Sequence, residues 1–84
     1  MRAADFSVSP NPAIGTVVLR YNGKDASTFR VQLVNQYGQV NSRNWLMNGT
    51  ALALDLSGVH AGTYLLLIID KKTGDVVQRQ LVKL

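Results

Sequence analysis

The chain has 84 residues, no cysteine and a formal net charge of +4. At that length it forms one domain, buries roughly 60% of the surface its unfolded chain exposes, and has no room for a core plus a large enclosed active site. Without cysteine there are no disulfide staples, thiol nucleophiles or thiolate metal sites.

In chain order, the first predicted strand is Asp5 to Ser9, stopped by Pro10 and Pro12. Each proline fixes φ and removes a backbone donor, and Asn11, held before a proline, is pushed to extended geometry. The result is a stiff crossover that cannot pair as a normal ladder. The second strand is Thr16 to Tyr21, with Val17, Leu19 and Tyr21 on one face. Asn22-Gly23 follows and reads as a hairpin turn, because both residues accept positive φ. The third strand, Thr28 to Asn35, points Phe29, Val31 and Leu33 one way and Arg30 and Gln32 the other, the alternation of a half-exposed antiparallel strand. Tyr37-Gly38 turns the chain.

Val40 to Met47 is a polar strand expected at an edge, with Trp45 as its main apolar anchor. Asn48-Gly49 reads as the next hairpin turn. It also opens the N-x-T pattern of glycosylation, but the turn reading is preferred. Thr50 to Leu56 directs Leu52, Leu54 and Leu56 inward. Gly62 to Asp70 is apolar on both faces and is expected to be central, with one face in the core and the other covered by a neighbour or a partner. Lys71 to Gly74 makes a charged turn, a solvated one rather than a phosphate loop. Asp75 to Leu84 is the last strand. About seven strands punctuated by turn glycines predict an all-β fold, an immunoglobulin-like antiparallel β-sandwich. All five acids are Asp, and the lack of the helix-favouring Glu agrees with this.

Little in the chain could carry catalysis. His60 is the only histidine and reads as a solvated loop residue rather than a metal ligand. Asp55, Ser57 and His60 raise the idea of a catalytic triad. The nucleophile elbow and the oxyanion-hole element are missing, so a turn in which Asp55 or Ser57 bonds local amides is preferred. The nine basic residues form no run longer than two, whereas a nucleic-acid site needs a clustered stripe. The apolar run Tyr64 to Ile69 is too short to span a membrane, and the first ten residues hold no signal-peptide core. Met1, directly before a strand-like segment, reads as the start of a piece cut from a longer protein.

Three segments are together distinctive: FSVSPNPAIG (Phe6 to Gly15), LDLSGVHAGTYLLLI (Leu54 to Ile68) and RQLVKL (Arg79 to Leu84). Their order and spacing resemble the C-terminal sorting domains, type A, of the type IX secretion system, and the resemblance covers nearly the whole chain. There are departures. Ser9 stands where an aromatic is common, Val59-His60 replaces a usual Leu-Pro, and Leu84 follows Lys83 where many members end in Lys. Gly58 and Gly62 remain, so the turn that lacks the proline should loosen slightly and keep its geometry.

The resemblance implies a function. Such a domain follows a cargo in the same chain and guides it from the periplasm through the outer-membrane translocon to the cell surface or the medium. A sortase-like peptidase then usually removes it. On the residues themselves, no catalytic residue, cofactor, metal, nucleic acid or direct membrane insertion is expected. The positions the resemblance matches are Pro10, Asn11, Pro12, Gly15, Asp55, Leu56, Gly58, Gly62, Tyr64, Val82 and Lys83. The final strand, with Leu81, Val82, Lys83 and Leu84, is the expected contact with the translocon, because an exposed strand edge can take up a partner. The same edge could support a homodimer by strand exchange. The competing readings are an immunoglobulin-like carbohydrate-binding or adhesion module, a structural spacer and, as the poorest, an enzyme.

Overall fold

The computed structural model describes residues 2–24, 27–38 and 40–84, with Val40, Asn41 and Ser42 described by their backbone alone. Met1 lies outside the described residues. The strands are β1 (Phe6–Ser9), β2 (Thr16–Tyr21), β3 (Thr28–Asn35), β4 (Val40–Asn48), β5 (Ala51–Asp55), β6 (Gly62–Asp70) and β7 (Val76–Lys83). They form two antiparallel sheets, one ordered β1-β2-β5 and one ordered β4-β3-β6-β7. The chain changes sheet between β2 and β3, between β4 and β5, and between β5 and β6, the crossovers of an immunoglobulin-like sandwich.

The core lies between the sheets and follows the two-residue period of each strand. Val17 and Leu19 on β2, Phe29, Val31 and Leu33 on β3, Leu54 on β5, Leu66 and Ile68 on β6 and Leu81 on β7 are fully buried. Each such side chain contributes about 1.5–3 kcal/mol against its exposed state. Phe6, Tyr21 and Phe29 bring three rings together across the sheets, with centroids 4.8, 5.0 and 5.2 Å apart. Tyr21 reaches this cluster by folding its ring over Gly23, where any β-carbon would collide with the phenol.

Four expectations are corrected. Asp5 does not start the first strand. It ends a 3-10 turn (Ala3–Asp5) because its carboxylate accepts the Arg2 N–H at 3.0 Å and curls the chain there. Asn22-Gly23 makes no hairpin, since β2 and β3 belong to different sheets and Gly23 lacks a positive φ. Asn48-Gly49 also carries the chain between sheets; Gly49 takes positive φ, and the Asn48 side chain accepts from the Thr28 hydroxyl at 3.0 Å. The anchor of β4 is Met47, which pairs with Phe29 and is fully buried, whereas Trp45 is half-buried and packs against the core from the rim.

The central position of β6 is as expected, between β3 and β7. Its outer-face residues Leu65, Leu67 and Ile69 are half-buried. By register they are flanked by Val34, Gln32 and Arg30 on β3 and by Gln80, Gln78 and Val76 on β7. The second sheet covers only the opposite face. The β6–β7 turn is organised by Asp70, which lies on the inward face in the series Tyr64, Leu66, Ile68 and is 9% exposed. Its Oδ1 accepts the Lys72 N–H at 2.8 Å, the Thr73 N–H at 3.3 Å and the Ser27 hydroxyl at 2.8 Å.

Candidate functional site

The loop after β1 returns to the other sheet. The Asn11 side chain lies beside the outer edge of β7. Its Nδ2 donates to the Gln80 carbonyl at 3.0 Å, and its Oδ1 accepts the Val82 N–H at 3.0 Å. Two residues on, the Ala13 N–H donates to the Val82 carbonyl at 2.7 Å, and the Ala13 carbonyl accepts the Leu84 N–H at 2.8 Å. Ala13 and Lys83 thus form a parallel bridge, and Ala13 is wholly buried. Pro10 and Pro12, on either side of Asn11, are exposed.

The same loop meets the β5–β6 connection. The Leu56 N–H donates to the Gly15 carbonyl at 3.0 Å, and Thr16 pairs with Asp55. Asp55 is held in a local turn by the Ser57 N–H at 3.0 Å. That bond, the Ser57 hydroxyl and the nearby Arg43 guanidinium keep its carboxyl below the usual carboxylate range. Arg43, from β4, donates to the Asp55 carbonyl at 2.8 Å and to the Ser57 carbonyl, bridging the two edge strands on the far side of the sandwich. Gly58 has φ of +82°, the left-handed region, and its missing side chain leaves room for the Arg43 fork. Leu56 and Val59 are buried below this turn, and the Tyr64 hydroxyl ties it down by donating to the His60 carbonyl at 2.7 Å. Gly62, at the start of β6, pairs with Lys83.

Pro10, Asn11, Pro12, Gly15, Asp55, Leu56, Gly58, Gly62, Tyr64, Leu81, Val82, Lys83 and Leu84 therefore gather toward one end of the sandwich. They do not share one surface. Leu56, Tyr64 and Leu81 are buried and build the end from within. Val82 and Lys83 are half-buried. Leu84 is 64% exposed, and beside it Ile14, which sequence reasoning passed over, is 76% exposed. The strand edge from Gln80 to Leu84, expected to be open, is occupied by Asn11 and Ala13. A signal for Ile14 was available: an apolar residue at the tip of a proline-glycine loop has no strand neighbour to bury it.

Asp55, Ser57 and His60 do not assemble as a catalytic group, since Asp55 accepts from the Ser57 backbone and His60 contributes its carbonyl. Among the described residues no three His, Asp or Glu side chains gather that could hold a metal ion, and no helix is long and apolar enough to cross a membrane. Shallow surface depressions are lined by Arg30, Asn44, Trp45 and Leu46, and by Ser27, Thr28, Lys71 and Lys72.

The model of the secretion system C-terminal sorting domain family matches residues 7–83. The chain belongs to that family. It is a sorting domain of the type IX secretion system, a signal that acts on a cargo protein bound for the cell surface or the medium. No curated protein matches the chain.

Proposed function

We propose that the outer-membrane translocon recognises the sorting domain at this end of the sandwich, and that a sortase-like peptidase then separates it from the cargo. The observation that supports the reading is convergence. Residues 10–15, 54–64 and 79–84 lie far apart in sequence, yet backbone pairing joins the first to the second through Gly15 and Leu56, the first to the third through Ala13 and Lys83, and the second to the third through Gly62 and Lys83. Where the fold brings the three segments to one end, a single partner can reach the exposed residues of that end. The exposed apolar pair Ile14 and Leu84, with the Lys83 ammonium close by, is the part a partner protein can touch.

Removing the last five residues is a blunt test, because it deletes the buried Leu81 and damages the core. Substituting the exposed pair is sharper. A reporter carrying this domain with Ile14→Asp and Leu84→Asp keeps a folded domain by circular dichroism and is retained in the periplasm. Surface delivery at the parental level by that variant would end the proposal.

A further inference from the structure

The structure assigns to Asn11 the part of a missing peptide group. We propose that it is a positioning residue that closes the last strand edge against strand addition, so that a partner reads the end of the sandwich through side chains and leaves β7 undisturbed. The second half of this inference rests on the recognition reading above; the first half does not.

An edge strand leaves backbone donors and acceptors facing away from its sheet. β7 borders its sheet, so every second residue turns its N–H and C=O outward, away from β6. Between the Gln80 carbonyl and the Leu84 N–H there are four such groups, these two and the N–H and carbonyl of Val82, and all four are bonded to residues 11 and 13. A backbone strand would normally supply such partners. Here the flanking prolines bar a regular strand, and a side-chain carboxamide takes its place. Among short side chains only Asn carries a donor and an acceptor on one planar group, as a peptide does. Asp has the shape but lacks the donor, and Gln is one methylene longer.

The prolines complete the closure. A strand laid along β7 normally becomes the new edge and offers its own outward N–H groups. Pro10 and Pro12 have none, so the sheet cannot grow past this segment at either position. The closure is anchored by Ala13, wholly buried between the sheets. An incoming strand, from a second copy of the chain or from another protein, would have to break the four bonds and pull Ala13 into water. Docking on Ile14, Lys83 and Leu84 requires neither.

The test uses the full 84-residue chain with Asn11→Ala and Asn11→Asp, followed by amide hydrogen exchange and by export of a reporter fusion. Each side-chain bond contributes modestly, so losing both should speed exchange at the Val82 amide by about tenfold or more. The Leu66 and Ile68 amides, in the centre of the sheet, should keep their parental rates. Asn11→Asp should act likewise at neutral pH, because its carboxylate faces the Gln80 carbonyl. Export of both fusions should fall, although the domains remain folded. Unchanged protection at Val82, an equal loss at all amides, or failure of both variants to fold would overturn the closing role. An opened edge with export intact would overturn the positioning role and leave the recognition reading standing, since that reading is tested by Ile14 and Leu84.

Discussion

Asp70 shows how one side chain can set a turn. The Lys72 N–H, the Ser27 hydroxyl and the Thr73 N–H all favour its ionised form, and with the nearby Lys72 charge they hold its carboxyl below the usual carboxylate range. Asp55 is shifted in the same direction by Ser57 and Arg43. A carboxyl whose pKa is lower folded than unfolded contributes stability above its unfolded value of about 3.9, and that contribution disappears as pH falls through the folded value. The thermal midpoint should therefore hold steady from neutral pH to about 5 and decline below about 4. Asp70→Asn should flatten part of that acid decline, because the amide oxygen can still accept the same bonds without titrating. Asp70→Ala should lower the midpoint at every pH. A pH series of melting curves checks all three. In the sequence Asp70 reads only as the end of a strand before a charged turn. The period of Tyr64, Leu66 and Ile68 already places it on the inward face, but the hydroxyl that helps to satisfy it comes from Ser27, 43 residues away.

At the scale of elements, β5 is the clearest case of what sequence can show. Leu52 and Leu54 alternate with exposed Ala51, Ala53 and Asp55, and the strand, Ala51–Asp55, lies one residue inside the expected Thr50 to Leu56 at each end. Connections are less legible. Asn22-Gly23 and Asn48-Gly49 announce a change of direction, but a dipeptide does not specify whether the strands on either side pair or part. Here both part, because the core needs β2 and β5 on one layer and β3 and β4 on the other. The same limit explains Trp45. Size and hydrophobicity favoured it over Met47, yet β4 is an edge strand and the deep position falls to the residue opposite Phe29. Met47→Ala should cost about 2–5 kcal/mol in chemical unfolding, as for a fully buried methionine. Trp45→Ala should cost less, despite the larger side chain removed. The reverse order would mean that the rim ring carries the layer contact.

Across the whole molecule, the three family segments were legible as segments, but their meeting was not. Nothing in residues 10–15 states that they will lie against residues 80–84; the contact exists because β1 and β7 border facing sheets. The same arrangement separates the chain ends. Phe6 sits with Tyr21 and Phe29 near the Asp70 end of the sandwich, whereas Leu84 lies at the Gly15 and Gly58 end, in a body whose longest extent is 33 Å. A folded protein joined before Phe6 therefore stands clear of the proposed recognition end, and one joined after Leu84 covers it. Surface delivery should survive a reporter fused at the first position and be lost with the same reporter at the second, as read by protease accessibility on whole cells.

The bonds between residues 11–13 and 80–84 have a mechanical consequence. The segment and β7 run in the same direction, while the two ends of the chain leave from opposite ends of the sandwich. Tension applied to a cargo at one end and resisted at the other is directed along the strands. The four bonds then lie across the line of pull and bear the force together, in shear, rather than parting one after another as in an opening zipper. Along that axis the contact between residues 11–13 and β7 has its strongest resistance to pulling.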